Sequence, residues 1–175
     1  MVSKNLPVRY EGEKVCTKVV PMDRNGQGMP YETIQYNLQM SEVEVETATG
    51  KVRVLKMTSV IDVGVIHNPL PVEGQAEGGM NMAAGFALWE DFEPGETDTL
   101  LKGGIPNSRN SPQTECLFNQ TYREDGTYGG CGVGEGVVVG GASAVLNAIY
   151  DACGARLFEV PATPGRVMAA MRQNP

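Results

Sequence analysis

The sequence predicts an α+β (mixed α/β) fold in which a β-hairpin and a mixed sheet are packed against helices. Three observations favour this fold class. Residues 34–64 alternate with the two-residue period of strands, residues 72–89 and 141–153 carry helical patterns, and these patterns follow one another without an internal repeat. A chain of 175 residues is long enough to bury the core that such a layered fold needs.

A β-hairpin over residues 34–64 is the first predicted element. In residues 34–46 (IQYNLQMSEVEVE) apolar side chains occupy every second position until the phase shifts by one residue, which predicts a β-bulge near residues 41–42. Residues 47–50 (TATG) form the predicted turn, and residues 51–64 the return strand. Pairing the two strands across this four-residue turn places opposite charges opposite each other on one face and valines opposite valines on the other. The predicted pairs are Glu46 with Lys51, Val45 with Val52, Glu44 with Arg53 and Val43 with Val54.

A helix is predicted over residues 72–89, with Pro69 and Pro71 at its approach. Glycines at positions 78, 79 and 85 lie inside it, and each costs a helix about 1 kcal/mol relative to alanine. Close approach of another backbone, or of a ligand, would explain them. The alternative is a packing face built of small residues, and the pattern alone favours that alternative.

The remaining elements are shorter. Residues 93–112 are predicted as a loop, residues 115–122 as a weak strand and residues 165–171 as a last helix, and residues 8–20 are a further candidate strand. The helix at 141–153 is predicted to end at Gly154, a typical residue just beyond a helix terminus. One face of this helix carries Ala142, Val145, Ile149 and Ala152.

Composition restricts the possible partners and compartment. Fourteen basic and 21 acidic residues give a formal charge of −7, which disfavours nucleic acid and anionic membrane as partners. No apolar run approaches the roughly 18 residues of a membrane span. Four cysteines without a C-x-x-C pair, and a single histidine, disfavour a zinc site or a direct protein ligand to a metal. We therefore expect inert thiols and a reducing compartment, the cytoplasm.

The stretch GGCGVGEGVVVGG, residues 129–141, places a single carboxylate, Glu135, between glycines and three valines. Its glycine spacing does not fit the dinucleotide fingerprint, it lacks the Lys-Ser/Thr of a phosphate-binding loop, and a carboxylate would repel phosphate. Nucleotide binding is therefore rejected. A carboxylate buried in such a loop would be suited to general-base catalysis, although the pattern alone favours a solvated glutamate.

Taken with the helix that follows, this stretch resembles the C-terminal part of the molybdopterin-binding (molybdenum) subunit of the xanthine dehydrogenase and aldehyde oxidoreductase family. In that family a G-V-G-E turn precedes a helix of the type A-x-A-x-x-N-A-I-x-x-A-x-G-x-R, here residues 132–135 and 142–156. Residues 62–92 resemble the family's segment built on N-P, G-Q, G-G and G-x-A-L-x-E, and residues 25–57 resemble its lead-in hairpin. The resemblance covers about residues 20–171 and departs from the family at residues 82–84 and 136–137.

The resemblance implies a molybdenum-cofactor-binding-domain-like fold, with molybdopterin carrying molybdenum as the cofactor of the full assembly and not of the isolated chain. It implies oxidation of an aldehyde or N-heterocycle with water as the oxygen source, Glu135 being the general base on the molybdenum-bound hydroxide. Gln75 matches a glutamine that contacts the pterin. Glycine permits close backbone approach, so the N–H groups of a short segment are expected to face the cofactor. This segment consists of Cys131, Gly132, Val133 and Gly134.

The resemblance also implies that the chain is one portion of a longer subunit and is inactive alone. We expect residues 1–22 to be a lead-in strand and loop and residues 23–175 to be the C-terminal portion of the molybdopterin-binding domain. The implied partners are the remainder of the molybdenum subunit, iron–sulfur and flavin subunits or domains, and a small-molecule substrate. Self-association through helix 72–89 and the glycine stretch is a further expectation. The alternative is a non-catalytic scaffold or interaction domain of the same fold.

Overall fold

The computed structural model describes residues 9–13, 15 and 18–173, and the chain divides into two compact units, Met1–Ile34 and Gln35–Pro175. In the first unit, Val20 and Met29 form an isolated antiparallel bridge with N–H···O distances of 2.8 and 2.9 Å. The candidate strand at residues 8–20 lies partly outside the described residues. Its described residues form no strand beyond this bridge.

The second unit is a three-stranded mixed sheet with helices, which confirms the predicted fold class. β1 pairs antiparallel with β2, and β2 pairs parallel with β3, so that β2 is central. The parallel pair requires a crossover connection, which contains the first helix. The elements are β1 (Tyr36–Glu46), β2 (Lys51–Asp62), α1 (Pro69–Leu88), β3 (Gln113–Asn119), α2 (Gly141–Cys153) and α3 (Pro164–Gln173).

The hairpin has the predicted register at its tip, but the bulge lies in the other strand. All four predicted pairs are present. The register shifts between Glu42 and Val43, as expected, yet the residue left without a partner is Leu55 of β2. β1 itself alternates without a phase shift, so Tyr36, Leu38 and Met40 are exposed on the outer face. The inner face of this half of β1 carries polar side chains instead.

The core lies between the inner face of the sheet and the helices. Its fully buried side chains include Met57, Ile61, Met80, Val137, Val145, Ile149 and Val167. The glycines of α1 support the packing alternative. A Cβ on Gly79 would lie 3.0 Å from Cβ of Val137, and one on Gly85 would collide with Glu90 and meet Pro106. Gly78, by contrast, faces open space.

The helix boundaries are close to those predicted. α1 begins at Pro69, earlier than expected, because prolines are tolerated in a first turn whose N–H groups have no helical partner. α2 ends at Gly154, where φ is 74° and the N–H donates to the Tyr150 carbonyl at 2.8 Å. Ala152 is exposed and so does not join the buried face of α2. No helix in the described part of the chain combines the length and apolar character of a membrane span.

Candidate functional site

The glycine-rich stretch at residues 129–141, called here the glycine loop, is anchored at its beginning to the end of β2. The N–H of Val65 donates to the Gly129 carbonyl at 2.9 Å, and the N–H of Cys131 donates to the Val63 carbonyl at 3.0 Å. Gly64 has φ 71°, and a Cβ there would collide with the Gly129 carbonyl. Glycine is therefore required at this crossing of two backbones.

Asp62, the last residue of β2, fastens the turn that precedes the glycine loop. Its carboxylate accepts hydrogen bonds from the N–H groups of Gly64 at 3.0 Å and Thr121 at 3.2 Å, and pairs with Arg123 at 3.2 Å. Burial alone would raise the pKa of Asp62, but the hydrogen bonds from Thr121 and Gly64 and the charge of Arg123 together lower that pKa to about 2. The ends of β2 and β3 are thus tied together.

Three amide side chains of the second unit hold the middle of the glycine loop. Gln35 Nε2 donates to the carbonyls of Gly132 and Val133, the latter at 2.8 Å. Asn37 Nδ2 has three carbonyl oxygens within hydrogen-bond distance, which its two N–H groups share: those of Gly136 (3.2 Å), Val137 (3.4 Å) and Val139 (3.1 Å). Gln39 Nε2 donates to the Val137 carbonyl. We call Gln35, Asn37 and Gln39 the amide ladder.

Helix α1 holds the glycine loop from another direction. Gln75 Nε2 donates to the Gly134 carbonyl at 2.8 Å, and Gly79 lets the helix approach Val137 closely. Two residues that the sequence singled out separately, Gln75 and Gly134, are therefore in direct contact. The sequence does not predict the amide ladder, although its three amides occupy alternating positions of the predicted strand at residues 34–46.

The N–H groups of the loop are arranged differently from its carbonyls. Those of Gly132, Val133 and Gly134 donate to no acceptor among the described residues. Side chains added at Gly132 or Gly134 would meet no atom within 4 Å, so open space lies beside this backbone. The N–H of Cys131 was expected to face the cofactor, but it donates to the Val63 carbonyl instead. The Cys131 Sγ donates to the same oxygen at 3.2 Å.

Glu135 lies on the exposed turn of the loop. Its carbonyl accepts the N–H of Val138 at 3.0 Å, while its carboxylate contacts no hydrogen-bond or ion-pair partner within the described ranges. The described residues therefore do not supply the burial that would favour a general base.

A cavity of about 380 Å³ adjoins the loop. Residues at the end of β2, the start of α1 and the beginning of the glycine loop line it, including Val65, His67, Asn68, Gly132 and Val133. A larger cavity of about 650 Å³ is lined by residues 86–105, none of which belongs to the glycine loop. Burial raises the pKa of Glu90, which lines that larger cavity.

Comparison with known proteins adds to this geometry. A family model described as the molybdopterin cofactor-binding domain matches residues 4–109. The aldehyde oxidoreductase of Megalodesulfovibrio gigas is 36% identical over 169 residues, which is 95% of this chain and 19% of that protein. The nicotine 6-hydroxylase large subunit of Paenarthrobacter nicotinovorans is 37% identical over 138 residues, 74% of this chain and 17% of that protein.

The fold is also found in a solved structure. The crystal structure of the aldehyde oxidoreductase from Desulfovibrio desulfuricans ATCC 27774 aligns with a TM-score of 0.82 and 43% sequence identity, covering 85% of this chain and 17% of that one. The family match stops at residue 109, before the glycine loop, whereas the match to the Megalodesulfovibrio gigas protein covers 95% of this chain. The chain spans about a fifth of the length of these relatives.

Proposed function

The chain belongs to the molybdopterin cofactor-binding domain family, and from that premise we propose that it is part of a molybdenum hydroxylase that oxidises an aldehyde or an N-heterocycle with water as the oxygen source. The observation that carries the proposal is the glycine loop. Side-chain amides bind its carbonyls, the N–H groups of Gly132, Val133 and Gly134 donate to no acceptor among the described residues, and Glu135 follows directly. The likeness to the Megalodesulfovibrio gigas aldehyde oxidoreductase, which extends over nearly all of this chain, supports it further.

The residues present fit a pterin cofactor. A pterin edge and its phosphate offer several hydrogen-bond acceptors, and the loop offers N–H donors at Gly132, Val133 and Gly134 that have no acceptor within the described residues. Gln75, which uses Nε2 on the Gly134 carbonyl, keeps its amide oxygen for a donor on the pterin. Cys131 would serve by fixing the loop to Val63, the residue that follows β2. When bound, the cofactor supplies a molybdenum centre that accepts two electrons from the substrate.

Glu135 is proposed as the general base that removes a proton from the attacking oxygen. A carboxylate is a better base in an enclosed site than in water, because burial disfavours its charged form. Glu135 is exposed in this chain, and the chain spans about a fifth of the length of its relatives. We therefore propose that the remainder of the molybdenum subunit encloses the site. The isolated chain would be inactive, and electrons would leave through iron–sulfur and flavin partners.

The test is Glu135→Gln in the native assembly that carries this chain. Removal of a general base costs typically 10²–10⁴-fold in rate, so we expect a loss of that order in kcat for aldehyde oxidation with molybdenum content unchanged. Glu124→Gln, which alters an exposed glutamate in the preceding turn, is the matched control and should keep full activity. Molybdenum content and steady-state kinetics are measured on the same preparation of each variant.

Two results would contradict the proposal in different ways. Full activity of Glu135→Gln in a molybdenum-containing assembly would remove Glu135 from the mechanism. An intact assembly without molybdenum would instead favour the non-catalytic scaffold, a reading with which the exposure of Glu135 in this chain is compatible.

A further inference from the structure

The amide ladder is unusual because it lies on the face of β1 that otherwise packs into the core. Asn37 and Gln39 share that face with the half-buried Val43 and Val45, and Gln35 continues the alternation. The NH₂ groups of the ladder donate to backbone carbonyls, those of Gly132, Val133, Gly136, Val137 and Val139. Asn37 is itself oriented, since its Oδ1 accepts the Ser59 hydroxyl at 2.9 Å.

Neutral amides suit this task for a chemical reason. The NH₂ group of Gln or Asn offers two donors without a charge, so one side chain binds two carbonyls. The glycine loop forms no strand pair along residues 132–139, and buried carbonyls without partners are strongly disfavoured. Side chains of the ladder therefore supply the donors that a neighbouring strand would otherwise supply.

Binding the carbonyls also fixes where the N–H groups point. In a planar trans peptide unit the C=O and the following N–H point in opposite directions. Gln35 binds the carbonyls of Gly132 and Val133, and Gln75 binds that of Gly134. The N–H groups of the next residues, Val133, Gly134 and Glu135, must therefore point away from these amides.

We propose that the amide ladder is a positioning device for the cofactor side of the glycine loop. By holding the carbonyls of Gly132 and Val133, it directs the N–H groups of Val133 and Gly134 toward the ligand, and together with Gln75, which holds the Gly134 carbonyl, it fixes the backbone that carries the Glu135 carboxylate. This inference rests on the proposed function. Gln35, Asn37 and Gln39 are positioning residues, since none of them would touch substrate.

The sharpest variant is Gln35→Met, which keeps the length of the side chain but removes both donors. Gln35→Glu is the second variant, because an ionised carboxylate accepts but does not donate hydrogen bonds. The two replacements have opposite polarity and share only the loss of donors. Gln113→Met is the matched control: Gln113 is exposed at the start of β3 and makes no side-chain hydrogen bond to the described residues.

Amide hydrogen exchange measured by mass spectrometry on the full assembly is the first readout. We expect exchange at Gly136 and Val138, whose N–H groups donate to carbonyls within the loop, to rise by about tenfold or more in both Gln35 variants, the effect of losing one to two hydrogen bonds, and to stay unchanged in β1 and β2. The control should match the unaltered protein. Because this readout does not need molybdenum, its outcome is separate from that of the proposed function.

Steady-state kinetics is the second readout. A displaced general base lowers turnover steeply, and a misplacement of about 1 Å can cost 10²-fold. We therefore expect kcat to fall by about 10–100-fold in both variants while KM for the substrate stays within about twofold. A purely structural role would instead raise exchange across the whole sheet. Unchanged exchange at Gly136 and Val138, or an equal rise throughout β1 and β2, would overturn the proposal.

Discussion

The two halves of β1 line the same inner face of the sheet, yet one half is apolar and the other is polar. Near the hairpin tip, Val43 and Val45 pair with Val52 and Val54 and pack against the core. Toward the start of the strand, Asn37 and Gln39 occupy the same face and bind the glycine loop. One half stabilises the fold through buried area, and the other fixes the conformation of a loop that packing alone would leave undefined.

The difference explains how a functional loop is held without strand pairing. The valine half contributes non-directional stabilisation that depends on area removed from water. The amide half contributes directional contacts that select one backbone conformation. Substitutions in the first half are therefore expected to change the free energy of unfolding, and substitutions in the second to change local order. The following predictions test this division.

The largest expected effect is on global stability at the boundary between the two halves. Met57 pairs with Ser41 and is fully buried, so Met57→Ala should lower the free energy of unfolding by about 2–5 kcal/mol. Urea denaturation measures it. Leu55→Ala, in the exposed bulge two residues away, is the control and should cost less than about 1 kcal/mol. Equal losses would mean that the bulge does not separate core from surface.

A smaller effect is expected at low pH, at the amide end of the hairpin. The pKa of Asp62 is about 2 in the folded chain, below the ordinary value of 3.8. A lowered pKa stabilises the fold fully above the ordinary value, and that contribution is lost as pH falls from about 4 to about 2. We expect a decline on the order of 1–2 kcal/mol over this range.

Asp62→Asn should remove this part of the pH dependence, and acid titration followed by urea unfolding would detect the change. Asp151→Asn, an exposed position on α2, is the matched control and should retain the decline. A decline that persists undiminished in Asp62→Asn would mean that other carboxylates carry the acid sensitivity.

The smallest expected change in the free energy of unfolding is for a substitution on the outer face of the amide half of β1. Leu38 is 57% exposed, directly beside the inward-facing Gln39. Leu38→Ser should therefore change the free energy of unfolding by no more than about 0.5 kcal/mol. A loss above about 2 kcal/mol would place Leu38 in the core and reverse the assignment of faces in β1.

The tip of the hairpin was predictable because its information is local. A four-residue turn, matched charges and facing valines all specify the same register, and the structure has it. The boundaries of α2 were predictable for the same reason, since Gly154 ends the helix with a left-handed backbone. These elements need no knowledge of distant residues.

The first half of β1 was not predictable in the same way. Alternation shows that Tyr36, Leu38 and Met40 share a face, but it does not show which face is buried. The prediction of a bulge in β1 depends on all apolar residues of that strand facing inward, which the structure contradicts. The amides that do face inward bind partners 97 to 102 residues away. Local pattern contains no signal for such contacts.

The candidate site was partly accessible from the sequence. Motif resemblance led to the glycine loop and to Gln75, and the structure brings Gln75 and Gly134 together. The sequence did not predict the surroundings of the Glu135 carboxylate, which is exposed in this chain.

The long separation between the amide ladder and the glycine loop also has a consequence for the order of folding. A hairpin closed by a short turn forms in roughly 1–10 μs, whereas contacts across 97 to 102 residues require closure of a long loop. At synthesis rates of about 5–20 residues per second, the glycine loop leaves the ribosome several seconds after the hairpin. The residues of the ladder are thus synthesised before their partner exists, and their amides are hydrated until residues 132–139 arrive.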